Sequence, residues 1–147
     1  MSDPMGEYDT DILLWSERQS ELLRRRATGE LVNDADLDWP NIAEEIESVG
    51  REELHAVESL LRQAIIHRLK VMAWPQSSAV AGRQDEELQF RQDAFDRYTP
   101  AMRQRIDLAR IYRRALQRVP KQIDGLAPQP LPNVCPWTLD DLIGDEP

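Results

Sequence analysis

The sequence predicts an all-α fold: an up-and-down-like bundle of about four helices with one long central helix and a short C-terminal helical turn. Two Trp-Pro pairs, Trp39-Pro40 and Trp74-Pro75, enclose 33 residues that contain no proline and a single glycine, Gly50. An unbroken helix of that length spans roughly 50 Å at ~1.5 Å per residue. Elsewhere, apolar residues recur at steps of three and four, which is the helical period. These observations leave no place for a sheet.

The first helix is predicted to run from Asp9 or Thr10, both good N-cap residues, to about Ala27, just before Gly29. Residues 1–7 are expected to be flexible. One face of this helix follows three- and four-residue steps. Its members are Tyr8, Ile12, Trp15, Gln19, Leu22, Leu23 and Arg26.

The long helix is predicted to start after Asp38, which can cap it, and to continue through Gly50 with possible bending there. One arc of this helix should exclude water, and it carries Val49, Leu60 and His67. The full apolar arc is Ile42, Ile46, Val49, Glu53, Val57, Leu60, Leu61, Ala64, Val71 and Met72.

Two more helices are predicted further along the chain. The third runs from Ser78 or Ala81 to Arg97. The fourth restarts at Thr99-Pro100, with threonine as the cap and proline at the first helical position, and continues to about Arg118.

The C-terminal region, residues 121–147, is predicted to form an extended strap and a short helix. Four prolines between Lys121 and Pro136 disfavour a helix there. Thr138 can then cap a final turn from Leu139 to Ile143. We expect all of residues 1–147 to form one domain, because a chain of this length supports a single core.

Charge is distributed unevenly along this acidic chain of net charge −9. Residues 1–60 carry 16 acidic and five basic side chains, whereas residues 61–121 carry six acidic and 13 basic ones. One interpretation is that acidic helices pack beside basic ones. The other is an anion-binding face that includes Arg103, Arg110 and Arg114. Nucleic acid is disfavoured as the anion because no recognition motif accompanies the arginines.

The composition also bears on location. No run of about 18 apolar residues is present, so no membrane association is expected. The acidic N-terminus lacks an apolar signal core, and Cys135 is the only cysteine. Both features are typical of a cytoplasmic protein.

Several segments together resemble DUF29, a bacterial family of unknown function. They are Tyr8-Asp9-Thr10-Asp11 with Trp15 and Gln19, Leu37-Asp38-Trp39, Asn41 to Glu47 with Gly50, His67 with Lys70, and Cys135-Pro136-Trp137-Thr138-Leu139. Trp137 stands where the family commonly has tyrosine. The resemblance covers Tyr8 to Ile143 and implies an all-α helical bundle, with no established activity, cofactor or partner.

His67 is the most suggestive ionisable residue, because an inward imidazole needs partners for its ring nitrogens. Gln19 and Glu45 are candidate partners, so Gln19, Glu45 and His67 form a candidate polar cluster. This cluster is interpreted either as a structural network that fixes helix register or as a ligand site. No catalytic, cofactor-binding or metal-binding residue is assigned, since two histidines and one Glu-x-x-His spacing do not make a di-iron or zinc site.

The function predicted from the sequence is a non-catalytic interaction or regulatory module that acts through a helical face. Its partner would be another protein or a second copy of this chain. The alternative is a small-ligand binder or enzyme with a polar pocket around Gln19, Glu45 and His67.

Overall fold

The computed structural model describes residues 3–144, which form an all-α fold with a long central helix, as the sequence predicts. No β-strand occurs in this range, where an isolated bridge joins Ile123 and Leu126. The chain divides into two compact units, unit 1 up to Arg51 and unit 2 from Glu52 onward. The α-helices are α1 (Pro4–Thr10), α2 (Ile12–Ala27), α3 (Trp39–Ala73), α4 (Val80–Arg97) and α5 (Leu108–Arg118).

The N-terminal region contains two helices where the sequence predicted one. Helix α1 begins at Pro4, and Asp11 separates it from α2. The Asp11 side chain accepts a hydrogen bond from the Leu14 backbone N–H at 3.0 Å, so Asp11 is the N-cap of α2. The predicted start at Asp9 or Thr10 was therefore wrong, whereas the predicted end at Ala27 is confirmed.

Helix α3 contains 35 residues and is continuous through Gly50, as predicted. The Asp38 carboxylate accepts a hydrogen bond from the Asn41 backbone N–H at 3.4 Å, and the Ile42 N–H bonds to the Asp38 carbonyl at 2.9 Å. The predicted cap at Asp38 is confirmed.

The prediction that Val49 lies on a buried side of α3 was wrong. Val49 is 64% exposed and Ile46 is 69% exposed, and Ile42 is the only buried residue between positions 39 and 56. Helical periodicity identifies which residues share a side, but burial also requires another element against that side. Further along, α3 is well buried, at Val57, Leu61, Ala64, Ile65, Ile66, Leu69 and Ala73.

The predicted fourth helix is interrupted. Pro100–Met102 forms a 3-10 turn, and α5 begins only at Leu108. The Asp107 side chain accepts a hydrogen bond from the Arg110 backbone N–H at 3.1 Å and so caps a new helix. Helix α4, from Val80 to Arg97, agrees with its prediction.

The chain after α5 crosses unit 2 as an extended strap held by hydrogen bonds. The Trp74 indole donates to the Leu126 carbonyl at 3.0 Å, and the Gln129 N–H donates to the Ala73 carbonyl at 2.9 Å. Asp124 and Gly125 both have positive φ, 53° and 77°, which forms the tight turn between Ile123 and Leu126.

The final element is a π-helical turn, Asp140–Gly144. The Asp141 N–H donates to the Thr138 hydroxyl at 3.1 Å, and the Thr138 N–H donates to the Asp141 carboxylate at 2.8 Å. This reciprocal capping confirms the cap predicted at Thr138. Leu142 and Ile143 are consequently placed in the core of unit 2.

Candidate functional site

Unit 1 contains a buried carboxylate that is fully used in hydrogen bonds. Asp38 is 2% exposed. Its Oδ2 accepts hydrogen bonds from the Trp15 indole at 2.9 Å and from the Asn41 side-chain amide at 2.7 Å. A buried charge requires such donors. The arrangement joins α2 to the start of α3.

Gln19 joins the same network through the backbone. Its side-chain carbonyl accepts from the Asp38 N–H at 2.8 Å, and its amide donates to the Asp36 carbonyl at 3.1 Å. Gln19 is 4% exposed, and both ends of its amide are paired. The polar residue that interrupts the apolar face of α2 therefore fixes the loop before α3.

Glu45 is bound by the tyrosine of α1. The Tyr8 hydroxyl donates to the Glu45 carboxylate at 2.6 Å, and the Tyr8 ring packs edge-on against Trp15 with centroids 4.8 Å apart. The hydrogen bond to Glu45, reinforced by loss of hydration, raises the pKa of Tyr8 to about 12. The pair thus ties α1 to α3 through a neutral phenol and a carboxylate.

His67 lies in unit 2 and points inward, with its side chain 13% exposed. Its Nε2 is 3.2 Å from a Glu86 carboxylate oxygen, and its ring stacks on Phe90 with centroids 5.4 Å apart. Nδ1 is buried and has no hydrogen-bond partner within residues 3–144. Burial lowers the pKa of His67, while Glu86 acts in the opposite direction.

The three members of the predicted polar cluster therefore have different partners. Gln19 bonds to the backbone of Asp36 and Asp38, and Glu45 bonds to Tyr8. Both belong to unit 1, whereas His67 belongs to unit 2 and pairs with Glu86.

A charged cluster borders a cleft of about 360 Å³ in unit 2. Glu87 is 8% exposed and lies between Arg68 Nε at 2.5 Å and Arg91 Nε at 2.7 Å. The Arg68 guanidinium also lies over the Trp137 ring, 5.1 Å from its centroid. One carboxylate is shared by two guanidiniums, so Glu87 is paired and the three groups together carry a net charge of +1; these contacts join α3, α4 and the strap.

The predicted anion-binding face is divided in the structure. Arg103 pairs with Asp140 at 2.6 Å. Arg110 and Arg114 line a groove of about 460 Å³ in unit 2, together with Arg62 and Arg105. Sequence reasoning missed Arg62, which lies on α3, because its proximity to α5 arises only in the folded chain.

Residues 3–144 contain neither a metal-binding cluster nor a membrane-spanning helix. No group of three or more His, Cys, Asp or Glu side chains in residues 3–144 is arranged to hold a metal ion. None of the helices in that part of the chain is long and apolar enough to cross a membrane.

The fold and its polar networks define a small all-α protein organised round one long helix. The chain belongs to the family described as "Domain of unknown function DUF29", whose model matches residues 7–146. It is similar to an alpha-helical protein of unknown function from Rhodospirillum rubrum ATCC 11170, known from a crystal structure at 1.45 Å resolution. Identity is 29%, the TM-score is 0.65, and the match covers 95% of this chain and 90% of that one. No curated protein shows significant similarity to the chain.

Proposed function

We propose that this protein is a non-catalytic interaction module that binds a protein partner through the exposed stretch of α3 in unit 1. The observation that carries the proposal is the exposure of Ile46 and Val49, at 69% and 64%. They lie three residues apart on one helix, so their side chains are neighbours on its surface. Apolar neighbours exposed on a regular helix are typical of a helix-docking surface.

The charge of unit 1 supports a particular kind of partner. Residues up to Arg51 carry 13 acidic and five basic side chains, a net charge of −8. Glu44 and Glu47 lie on the same stretch of α3 and are exposed, and each is within ion-pair distance of Arg51. We therefore propose that the binding partner is a protein segment whose apolar residues are flanked by arginine or lysine, because complementary charge accelerates the association of two proteins.

The buried polar groups of unit 1 support a non-catalytic role. Asp38, Gln19 and Trp15 are all within 5% exposure and hydrogen-bond one another or the adjacent backbone. A general acid or base must reach the substrate proton within hydrogen-bond distance. The hydrogen bonds of this network instead join α2 to α3.

The test uses a photo-crosslinking residue at position 49, with position 17 on α2 as an exposed control. We expect position 49 to crosslink to a partner protein. Mass spectrometry of the product should identify a partner peptide that contains both basic and apolar residues. The synthetic peptide should bind the purified protein in a salt-sensitive manner. The double variant Ile46→Ala/Val49→Ala should weaken that binding about tenfold or more, since each contact contributes about 1 kcal/mol.

A matched control removes two other exposed apolar side chains from unit 1, Met5 and Leu13, which are 55% and 67% exposed. Met5→Ala/Leu13→Ala should leave the affinity unchanged. Equal crosslinking at positions 17 and 49 would contradict the proposal. A crosslink to a second copy of this chain would indicate that the exposed stretch of α3 mediates self-association and does not bind a basic partner.

The second candidate is a small-ligand binder or enzyme with a polar pocket in unit 1 that includes Gln19. One observation favours it: a cleft of about 210 Å³ in unit 1 reaches Gln19 and is also lined by Glu7, Arg18 and Asp36. That volume is below the roughly 300 to 1,000 Å³ of usual ligand pockets. Ligand-induced NMR shifts of the Gln19 side-chain amide that disappear in Gln19→Leu would favour this candidate.

A further inference from the structure

The basic groove of unit 2 is formed by residues from three parts of its fold. Arg62 comes from α3, Arg105 from the turn before α5, and Arg110 and Arg114 from α5. The positions 110 and 114 are one helical turn apart and share a face of α5. Four guanidinium groups thus border one groove of about 460 Å³.

These four arginines have no acidic partner in the described part of the chain, in contrast to several other arginines of unit 2. Arg68, Arg97 and Arg103 each pair with a carboxylate. No carboxylate of residues 3–144 lies within ion-pair distance of Arg62, Arg105, Arg110 or Arg114.

One carboxylate lines the groove within the described residues, and it is already engaged. Glu58 lies 3.5 Å from His55 Nδ1, and both residues border the groove. With histidine neutral, the lining therefore carries a formal charge of +3. Like charges held together without counterions repel one another, so an anion in the groove would stabilise it.

The groove also has an apolar component and a hydroxyl. Leu54 and Ile111 line it, as does Ser59, whose hydroxyl oxygen is 3.5 Å from an Arg62 nitrogen. Ile111 is 5% exposed and belongs to the core of unit 2, which gives this wall a fixed position. Such a lining suits a ligand that combines several negative charges with an apolar or aromatic group.

We infer that the groove binds a small organic polyphosphate of the nucleoside di- or triphosphate class, independently of the protein interaction proposed above. Arginine binds phosphate oxygens with two parallel N–H donors, and four such forks can divide two or three adjacent phosphates between them. The base or another ring would contact Leu54 and Ile111.

A long nucleic acid fits the charge distribution less well than a compact ligand. Binding along a phosphate backbone requires a basic track that extends over several phosphates. Here the neighbouring Arg97 and Arg103 are neutralised by Glu53 and Asp140, and the whole chain carries −9. Four arginines without an acidic partner in residues 3–144 therefore line one groove, whereas the unpaired Arg113 and Arg118 lie outside its lining.

The experiment is isothermal titration calorimetry of the full chain at low salt with four probes: ATP, AMP, tripolyphosphate and a dT12 oligonucleotide. ATP should bind at least tenfold more tightly than AMP, because additional phosphates engage additional guanidiniums. ATP should also bind more tightly than tripolyphosphate, which lacks a ring for the apolar wall.

The variant Arg110→Gln/Arg114→Gln should weaken ATP binding at least tenfold. Its control, Arg113→Gln/Arg118→Gln, makes the same charge change on the same helix at exposed positions outside the groove lining. The control should retain the affinity of the unmodified chain. Circular dichroism establishes that both variants are folded before they are compared.

Three results would overturn the inference. The first is the absence of ATP binding by the unmodified chain at low salt. The second is an equal loss of affinity in both double variants, which would indicate attraction by general charge. The third is tighter binding of dT12 than of ATP, with affinity that rises with oligonucleotide length, which would indicate a nucleic-acid surface.

Discussion

Within residues 3–144, the main hydrophobic cluster of unit 1 contains three buried apolar side chains, whereas the main cluster of unit 2 contains twelve. In unit 1, Trp15, Leu37 and Ile42 pack around Asp38 and Gln19, both of which are buried and hydrogen-bonded. In unit 2, the charged groups Arg68 and Glu87 lie beside the core. Directional hydrogen bonds thus define the structure where the buried apolar area is small, and packing volume defines it where that area is large.

Truncation of a side chain in the core of unit 2 should cause the greatest loss of stability. Leu61 is fully buried in unit 2, so Leu61→Ala should lower the free energy of unfolding by about 4 kcal/mol through lost transfer energy and a cavity. Urea denaturation measures this loss, and Leu126→Ala is the control because Leu126 is 64% exposed. A loss below about 1 kcal/mol for Leu61→Ala would show that the core is loosely packed.

Substitution of Asp38 should cause the next largest loss of stability, because it disrupts the polar network of unit 1. Asp38→Ala removes the acceptor of the Trp15 indole and the cap of α3, so we expect a loss of about 3 kcal/mol. Hydrogen exchange should increase mainly in α2 and the first turns of α3. Asp36→Ala is the control, because Asp36 is exposed and contributes its backbone carbonyl to Gln19. Equal losses for the two variants would break the contrast between the units.

Substitution of two glycines by alanine should change the stability by smaller amounts and in opposite directions. Gly125 has φ +77°, so Gly125→Ala should cost about 1 kcal/mol from backbone strain, although a Cβ there meets no atom within 4 Å. Gly50 lies inside α3 with equally open space, and Gly50→Ala should stabilise the helix by up to about 1 kcal/mol. Thermal denaturation of both variants measures the two shifts, and shifts of the same sign would contradict the explanation.

The contribution of His67 to stability should depend on pH, and this is the smallest change that we expect. Because burial lowers the pKa of His67 below 6.5, the unfolded chain takes up this proton first as the pH falls. The contribution of His67 to stability is therefore complete above pH 6.5 and decreases as pH falls towards the folded-state pKa. The facing charges Glu86, Lys70, Arg83 and Glu87 modulate the folded-state pKa.

The measurement compares wild type with His67→Gln between pH 7.5 and 5. Wild type should lose stability relative to the variant on acidification, and NMR titration of the imidazole should show a lowered pKa. A constant difference over this range would mean that His67 titrates alike in the folded and unfolded chains.

Local sequence signals predicted part of the fold. The continuity of α3 and the caps Asp38 and Thr138 follow from nearby residues, and all are present. Two local signals were overlooked: Asp3-Pro4 at the start of α1, and Asp107 as the cap of α5. Both are ordinary helix-start patterns, so these two helix boundaries are encoded by nearby residues.

Other features depend on contacts between distant residues and could not be predicted. The Trp15–Asp38 bond joins residues 23 apart in the chain. The exposure of Val49 depends on which elements pack against α3. The composition of the basic groove likewise requires α3 and α5 to be placed together. Periodicity indicates which residues share a face, but it does not indicate what covers that face.

The docking of Leu142 and Ile143 has a consequence for synthesis on the ribosome. The apolar core of unit 1 is complete once Ile42 has left the exit tunnel, so that unit can form early in translation. The core of unit 2 lacks two of its members until Ile143 emerges, and α3 and α5 remain partly unprotected during that delay. Nascent chains stalled before residue 142 are therefore expected to be the species that molecular chaperones bind.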